Sequence, residues 1–340
     1  MQNRSTSFAT GWMTNLQTPV FRQRAPWIGG HLQTIRNALA RRITGVPAVT
    51  GKRLWIPVTD GSGDLLAISY TSPVIVAETP KPLILLLHGL TGCEDSMNQR
   101  ASTACFHRLG HPVVRLNLRG AGPGEVRASR RYHSGLTGDI ADTIQFLISD
   151  PRIRTEAGIV AMGVSLGGTI LLNHLIAAGP DSGLKAAITV STPLDLAESS
   201  RNFLRPGNAV YHRYLLQRMK AFTLTAAETT EMKNRISASK SVWQFDDQVI
   251  APWNGYGDAG DYYSQCSPEA GLDAIVTPTL LIHANDDPWV PSRAYRKLGQ
   301  GTGVVRCLLS PRGGHVGFHG QNQPESWHNH VAAQFIDGLN

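Results

Sequence analysis

The chain has 340 residues, 41% of them hydrophobic and 17% charged, which leaves room for one large α/β domain with an insertion, or for two domains. The net charge of +7 sits at one end: residues 1–59 hold eight basic side chains and no acid, leaving 24 basic against 25 acidic residues elsewhere, which argues against a nucleic-acid-binding body. No run approaches the roughly 18 apolar residues of a membrane span, and no charged-then-apolar leader opens the chain.

The basic end carries Arg4, Arg22, Arg24, Arg36, Arg41, Arg42, Lys52 and Arg53. Within it, "HLQTIRNALARRI" repeats Leu32, Ile35, Leu39 and Ile43 at helical spacing. Three readings compete. An Arg-rich, acid-free stretch suits a transit peptide. A basic amphipathic helix suits a membrane surface. An arm packed on the domain suits the general rule that such helices turn their apolar face to their own core.

Next, "RLWIPV" and "LLAISY" flank the turn-like "TDGSGD" and predict an antiparallel hairpin. "PLILLLHG" is a continuous apolar run of the kind buried on both faces of a sheet. A helix follows over Met97–Leu109, then the strand "PVVRLNLRG". "GLTGDIADTIQFLISD" predicts a helix with Ile140, Ile144, Leu147 and Ile148 on one face. "GIVAMG" is a strand, "GGTILLNHLIAAG" a helix stopped by Gly179, and "KAAITVSTP" a strand again. This alternation implies a largely parallel sheet with right-handed crossovers. After Pro193 it breaks: residues 194–270 show helical pieces and no buried strand. "TPTLLIHAND" and "VVRCLLSP" restore strands, and a helix over Glu325–Leu339 closes the chain.

The strand "GIVAMG" ends in Gly-x-Ser-x-Gly, spelled "GVSLGG". A strand-to-helix turn this sharp holds its serine in strained backbone angles and needs neighbours without bulk. Gly163 and Gly167 supply that room, and Gly168 lets the helix approach the sheet. Ser165 then stands at the carboxyl end of the sheet, where open α/β sheets bind ligands. The spacing fits neither a dinucleotide GxGxxG turn nor a P-loop.

A serine nucleophile needs a base, and the base needs an orienting carboxylate; on such a sheet the chain order is Ser, acid, His. "ANDDPWVP" offers Asp287, four residues before Pro291, with Asp286 as the other candidate. "GGHVGF" offers His315, with His319 competing from deeper in the loop. For the oxyanion, the backbone N–H of Leu166 follows the nucleophile and that of Leu90 lies in "HGLTG"; His88 braces that turn. Neither "GDAGDYY" nor "NDD" matches a calcium loop, and no HExxH or paired His–carboxylate spacing occurs, so neither a metal nor any other cofactor is expected. Four scattered cysteines (Cys93, Cys105, Cys266, Cys307) without a CxxC argue for a reducing compartment.

These residues resemble the α/β-hydrolase superfamily. "PWIGGHLQTI", "HGLTG", "NLRGAG", "YHSGLTGDI", "GVSLGG", "YGDAGDYY", "ANDDPWVP" and "GGHVGF" resemble, over nearly the whole chain from Pro26, the YheT-like hydrolases, a group akin to the membrane-anchored mammalian α/β-hydrolase-domain phospholipases. The resemblance implies an α/β-hydrolase fold: a mostly parallel sheet flanked by helices, with a helical cap insertion and an N-terminal arm. It implies a carboxylic-ester hydrolase of the acylesterase or lipase kind and carries Ser165, Asp287 and His315 over as the triad. It also places the basic segment inside the family's own N-terminal region, against a transit peptide.

The expected division is a basic arm over 1–59, a core of 60–193 and 271–340, and a cap over 194–270. The expected substrate is a short- to medium-chain or lipid-like ester with an apolar acyl chain. Neutral imidazole acts as base, so activity is expected to fall below about pH 6–7. The expected location is cytoplasmic, with peripheral membrane contact through the arm. Two other functions share the fold: an acyltransferase using the same acyl-enzyme, and a non-catalytic binding protein.

Overall fold

Side chains alternate along β3 (Leu83–Leu87) and β5 (Ile159–Val164), and both faces are buried. Leu83, Leu85, Leu87, Ile159 and Ala161 pack in one apolar cluster, and Ile84, Leu86, Val160 and Met162 in the other. That is the strand period of two with helices covering each face. The computed structural model describes residues 20–40, 50–73, 79–321 and 325–339. Among them lies a nine-stranded sheet of order β1-β2-β4-β3-β5-β6-β7-β9-β8. The other strands are β1 (Lys52–Pro57), β2 (Leu65–Thr71), β4 (Val113–Asn117), β6 (Ala186–Val190), β7 (Thr279–Ala284), β8 (Gly301–Thr302) and β9 (Val305–Ser310). The six strands from β4 to β9 run parallel, whereas β1, β2 and β8 are antiparallel to their neighbours.

The helices are α1 (Gly30–Ala40), α2 (Met97–Arg108), α3 (Gly138–Ser149), α4 (Leu166–Ala178), α5 (Leu196–Asn202), α6 (Ala209–Leu224), α7 (Thr230–Ala238), α8 (Ala259–Cys266), α9 (Arg293–Leu298) and α10 (Trp327–Asp337), besides shorter turns. The chain steps from β3 out to β4 and then returns to the other side of β3 as β5. The loops after β3 and β5 therefore diverge and leave a crevice at the strands' carboxyl ends. Between β6 and β7 the described chain is helical, with an apolar core of its own that includes Leu215, Met219, Phe245 and Tyr263.

Three expectations change. β1 already belongs to the sheet, so the boundary expected at residue 59 cuts a hairpin whose two strands pair from Lys52↔Tyr70 to Pro57↔Leu65. On α3, Ile140, Ile144 and Leu147 are buried but Ile148 is 53% exposed, because it lies one helical step beyond the stripe that meets the sheet. On α1, Gln33 is fully buried while Leu32 and Leu39 are 40% and 44% exposed. That helix turns Gln33 inward and leaves Leu32 and Leu39 outside, with Ile35 half-buried. Arg4, Arg41, Arg42 and Ile43 lie outside the described residues.

Candidate active site

Ser165 alone separates the last residue of β5 from the first of α4, with φ 52° and ψ −126°. A non-glycine residue at positive φ costs on the order of 1–3 kcal/mol and persists only where its surroundings hold it. Here the Ser165 N–H donates to Val190 O (2.9 Å), and the Gly168 N–H donates to Ser165 O (2.9 Å). The glycines answer to close backbone approach. A β-carbon on Gly163 would lie 2.6 Å from the Gly167 carbonyl oxygen, and one on Gly167 would overlap the His88 carbonyl oxygen. One on Gly168 would overlap the Thr192 hydroxyl, where α4 meets the loop after β6.

The Ser165 hydroxyl donates to His315 Nε2 (3.0 Å), and His315 Nδ1–H donates to Asp287 Oδ2 (2.9 Å). The serine and the imidazole are 150 positions apart in the chain. Asp287 Oδ1 accepts the N–H groups of Trp289 (2.8 Å) and Val290 (3.0 Å), so both carboxylate oxygens are used. Burial acts to raise the Asp287 pKa. His315 beside it, His283 below it and the Val290 amide outweigh burial and hold the carboxyl under its ordinary value. The Trp289 ring stacks on the imidazole at 4.5 Å. Asp286 points elsewhere: it accepts the Gly314 N–H (2.9 Å), and burial raises its pKa. His319 is held by Arg36 Nη1–H (3.0 Å to Nδ1), and burial followed by the Arg36 charge pushes it far below the usual histidine range.

The "HGLTG" loop reaches the serine at Gly89, whose β-carbon would sit 3.1 Å from Ser165 Cβ. The Gly89 carbonyl accepts from His88 Nδ1–H (2.8 Å), Gly92 N–H (3.0 Å) and the Tyr132 hydroxyl (3.3 Å). In a trans peptide the next N–H points the opposite way, so these three donors turn the Leu90 N–H outward from the turn. Among the described residues no acceptor receives the N–H of Leu90 or of Leu166. His88 is fully buried, accepts the Leu118 N–H at Nε2 (3.1 Å), and is kept neutral by burial, with its pKa lowered to about 4. It braces the loop, as the sequence suggests.

Two residues to which the sequence gives no role, Tyr132 and Asn117, hold this loop and the chain just after it. The Tyr132 hydroxyl accepts the Thr91 N–H (2.7 Å). Asn117 accepts the Glu94 N–H (2.9 Å) and donates to its carboxylate (2.7 Å). Arg119, 1% exposed, pairs with Asp139 at the start of α3 and with Asp60 of the hairpin turn (2.5 Å). The acids of "GDAGDYY" serve caps: Asp258 accepts the Asp261 N–H (2.8 Å) at the start of α8. Tyr262 of the same phrase donates to the Ser134 hydroxyl (2.9 Å). Among the described residues no group of three or more His, Cys, Asp or Glu is placed to hold a metal ion.

Ser165, Leu90, Leu166 and His315 open on a cavity of about 280 Å³. Its far wall comes from the helical segment after β6: Leu196, Phe203, Leu215, Met219, Phe222 and Phe245. Polar groups interrupt this apolar lining, among them Ser199, Ser200, Thr223 and one carboxylate. Asp246, 8% exposed, begins a π-helical turn and takes the Tyr263 hydroxyl at 2.6 Å; burial raises its pKa to about 7.

Comparison with known proteins adds three kinds of likeness. The sequence profile of the alpha/beta hydrolase fold family matches residues 82–320. The chain is 33% identical over 304 residues to YheT of Escherichia coli (strain K12), whose name assigns it provisionally to the esterases; the match covers 87% of each chain. It is 29% identical over 307 residues to the phospholipase ABHD3 of Mus musculus, covering 87% of this chain and 74% of that one. Among solved structures it is similar to the Pyrococcus furiosus esterase Pf2001, with a TM-score of 0.56, 14% identity, and coverage of 85% of this chain and 93% of that one.

Proposed function

This chain belongs to the YheT-like family within the α/β hydrolases, and from that membership we propose that it is a serine carboxylic-ester hydrolase working through an acyl-enzyme. The observation that carries the reading is the Ser165–His315–Asp287 line, 3.0 and 2.9 Å long, at the mouth of a cavity with two unclaimed amides beside the hydroxyl. Related chains that carry esterase and phospholipase names support the same reaction class.

His315 takes the Ser165 proton as Oγ bonds to the ester carbonyl carbon. The Leu166 and Leu90 amides receive the oxyanion; losing one such donor typically costs about 3 kcal/mol of barrier. The carbon–alkoxy bond breaks, His315 returns the proton to the leaving alcohol, and the acyl group stays on Ser165. Water then attacks the acyl carbon, with His315 again taking the proton; the bond from Ser165 Oγ to the acyl carbon breaks, His315 returns the proton to Oγ, and the carboxylic acid leaves. Asp287 stays ionised and keeps the imidazole proton on Nδ1.

The segment 194–270 acts as a cap whose apolar wall receives an acyl chain, so the substrates are short- to medium-chain or lipid-like esters. The outward Leu32, Leu39 and Ile28, the last 54% exposed, beside the acid-free Arg22–Arg36 stretch, suit peripheral contact with an anionic lipid surface. Among the described residues no helix is long and apolar enough to cross a membrane. Co-sedimentation with anionic vesicles at low salt, lost at high salt, is expected; binding indifferent to lipid charge would remove this part.

The test of the reaction is a p-nitrophenyl ester series from acetyl to dodecanoyl with wild type and Ser165→Ala. The expected result is hydrolysis by wild type with a chain-length optimum, and background rates in the variant. Wild-type protein that cleaves none of the series would overturn the reading. Adding a competing alcohol separates hydrolysis from acyl transfer by the products formed.

A further inference from the structure

The loop bearing His315 is held in a conformation that its own sequence does not favour. Val316 and Phe318 both sit at positive φ, 55° and 50°, although neither is glycine. Backbone angles of this kind persist only where contacts from outside over-determine them. Four of the loop's N–H groups donate to side chains of other segments. Gly314 N–H goes to Asp286 Oδ1 (2.9 Å) after β7, and Val316 N–H to Ser191 Oγ (3.0 Å) after β6. The other two go to the N-terminal helix α1: His315 N–H to Thr34 Oγ1 (2.8 Å) and His319 N–H to Gln33 Oε1 (2.7 Å).

Each α1 side chain is itself locked. The Thr34 hydroxyl donates its only proton to Gly30 O (2.7 Å), so towards His315 it can only accept. Gln33 is fully buried. Its Nε2 donates to Trp27 O (2.6 Å) and His319 O (3.2 Å), so it brackets the His319 residue as a neighbouring strand would. The approach is backbone to backbone: a β-carbon on Gly314 would overlap the Gly30 carbonyl oxygen, and one on Gly317 would lie 2.6 Å from Gln33 O. This explains why α1 turns Gln33 and Thr34 inward and leaves Leu32 and Leu39 outside. The buried amides of a loop 281 positions away must be satisfied, and the Thr34 and Gln33 side chains satisfy two of them.

We propose that Thr34 and Gln33 are positioning residues for the His315 imidazole: the N-terminal helix, through the His315 and His319 amides, sets where the ring stands between Asp287 and Ser165. This rests on His315 being the base. The N-terminal segment is then part of the reaction centre's support, and "GHLQT" is read as a clamp.

Thr34→Val keeps the shape and removes the acceptor; Thr34→Ser restores it. The full-length variants are assayed with a p-nitrophenyl ester for kcat and KM separately, with melting temperature measured alongside. A displacement of the ring of about 1 Å costs on the order of 100-fold in rate. Thr34→Val is expected to lose about 10- to 100-fold in kcat, with KM within about threefold. Thr34→Ser is expected to recover most of that loss. The downfield proton resonance of His315 Nδ1–H, assigned by its loss in Asp287→Ala, is expected to shift or broaden in Thr34→Val alone. If Thr34→Val does not fold, Thr34→Ala is read in its place by the same criteria. A kcat within twofold of wild type in the folded acceptor-less variant, or an equal loss in Thr34→Ser, overturns the proposal. An active Ser165→Ala would instead overturn the reaction reading, so the two failures are distinguishable.

Discussion

Replacing Asp287 by asparagine should inactivate the protein by choosing the wrong imidazole tautomer, and the local hydrogen bonds say why. The carboxylate uses Oδ1 for two backbone donors, Trp289 and Val290, and Oδ2 for His315. Asparagine has one acceptor oxygen and one amino group to place on these two sides. With its oxygen towards His315, the amino group faces two buried N–H donors, and each unsatisfied donor costs about 1–3 kcal/mol. With its oxygen towards the two amides, all three partners are bonded, but the amino group donates to His315 Nδ1. The second orientation is favoured by about 2–6 kcal/mol. It leaves the imidazole proton on Nε2, facing the Ser165 hydroxyl that it should accept from. Loss of the correct tautomer costs about 10⁴-fold in kcat in triads of this kind. Steady-state assays of Asp287→Asn should therefore show a kcat loss of that order with KM little changed, and a melting temperature close to wild type because no hydrogen bond is lost. A kcat within tenfold of wild type would refute the tautomer argument.

Gly167→Ala places a methyl on the His88 carbonyl oxygen and 2.9 Å from Leu87 O, pushing the loop that carries the Leu90 amide away from Ser165. The expected cost is about 100-fold in kcat and about 1–3 kcal/mol of stability by denaturant titration; wild-type kcat would remove Leu90 from the oxyanion role. Asp246 is protonated more readily in the folded chain (about 7) than its ordinary 3.8. The folded state therefore binds the extra proton, and stability falls as pH rises from about 4 to about 7, then stays low. Asp246→Asn should raise the melting temperature more at pH 8 than at pH 5, and an equal change at both would contradict that burial penalty. Trimming Met219 or Phe222 to alanine enlarges the cavity and should move the chain-length optimum to longer esters while Ser165 labelling persists. An unmoved optimum in both would count against the cap as selector.

The central strands were legible because burial on both faces writes continuous apolar runs such as "LILLL" and "IVAMG". The antiparallel edge was less so. β8 is two residues long, and the pairing of β2 with β4 depends on contacts between Ala67–Thr71 and Val113–Asn117 that no local pattern records. Ser165 and His315 announce themselves by glycine spacing and chain order. The choice of Asp287 over Asp286 follows from the turn in which the Trp289 and Val290 amides point back at one carboxylate, a geometry that the neighbouring aspartate cannot share. The orientation of α1 was hidden. Apolar periodicity registers Leu32 and Leu39, but the demand that turns Gln33 inward comes from loop amides almost 290 residues away. Asp246 was hidden likewise: nothing in "VWQFDDQVI" marks it, and it lines the cavity wall as the first residue of a π-helical turn that no apolar periodicity announces.

The whole account turns on Ser165 being the atom that attacks. Peptide mapping by mass spectrometry after treatment with a fluorophosphonate should find one adduct, on the peptide containing Gly163–Gly167, formed by wild type and absent from folded Ser165→Ala. An adduct on another residue, or hydrolysis of an ester by Ser165→Ala at the parental rate, would contradict it.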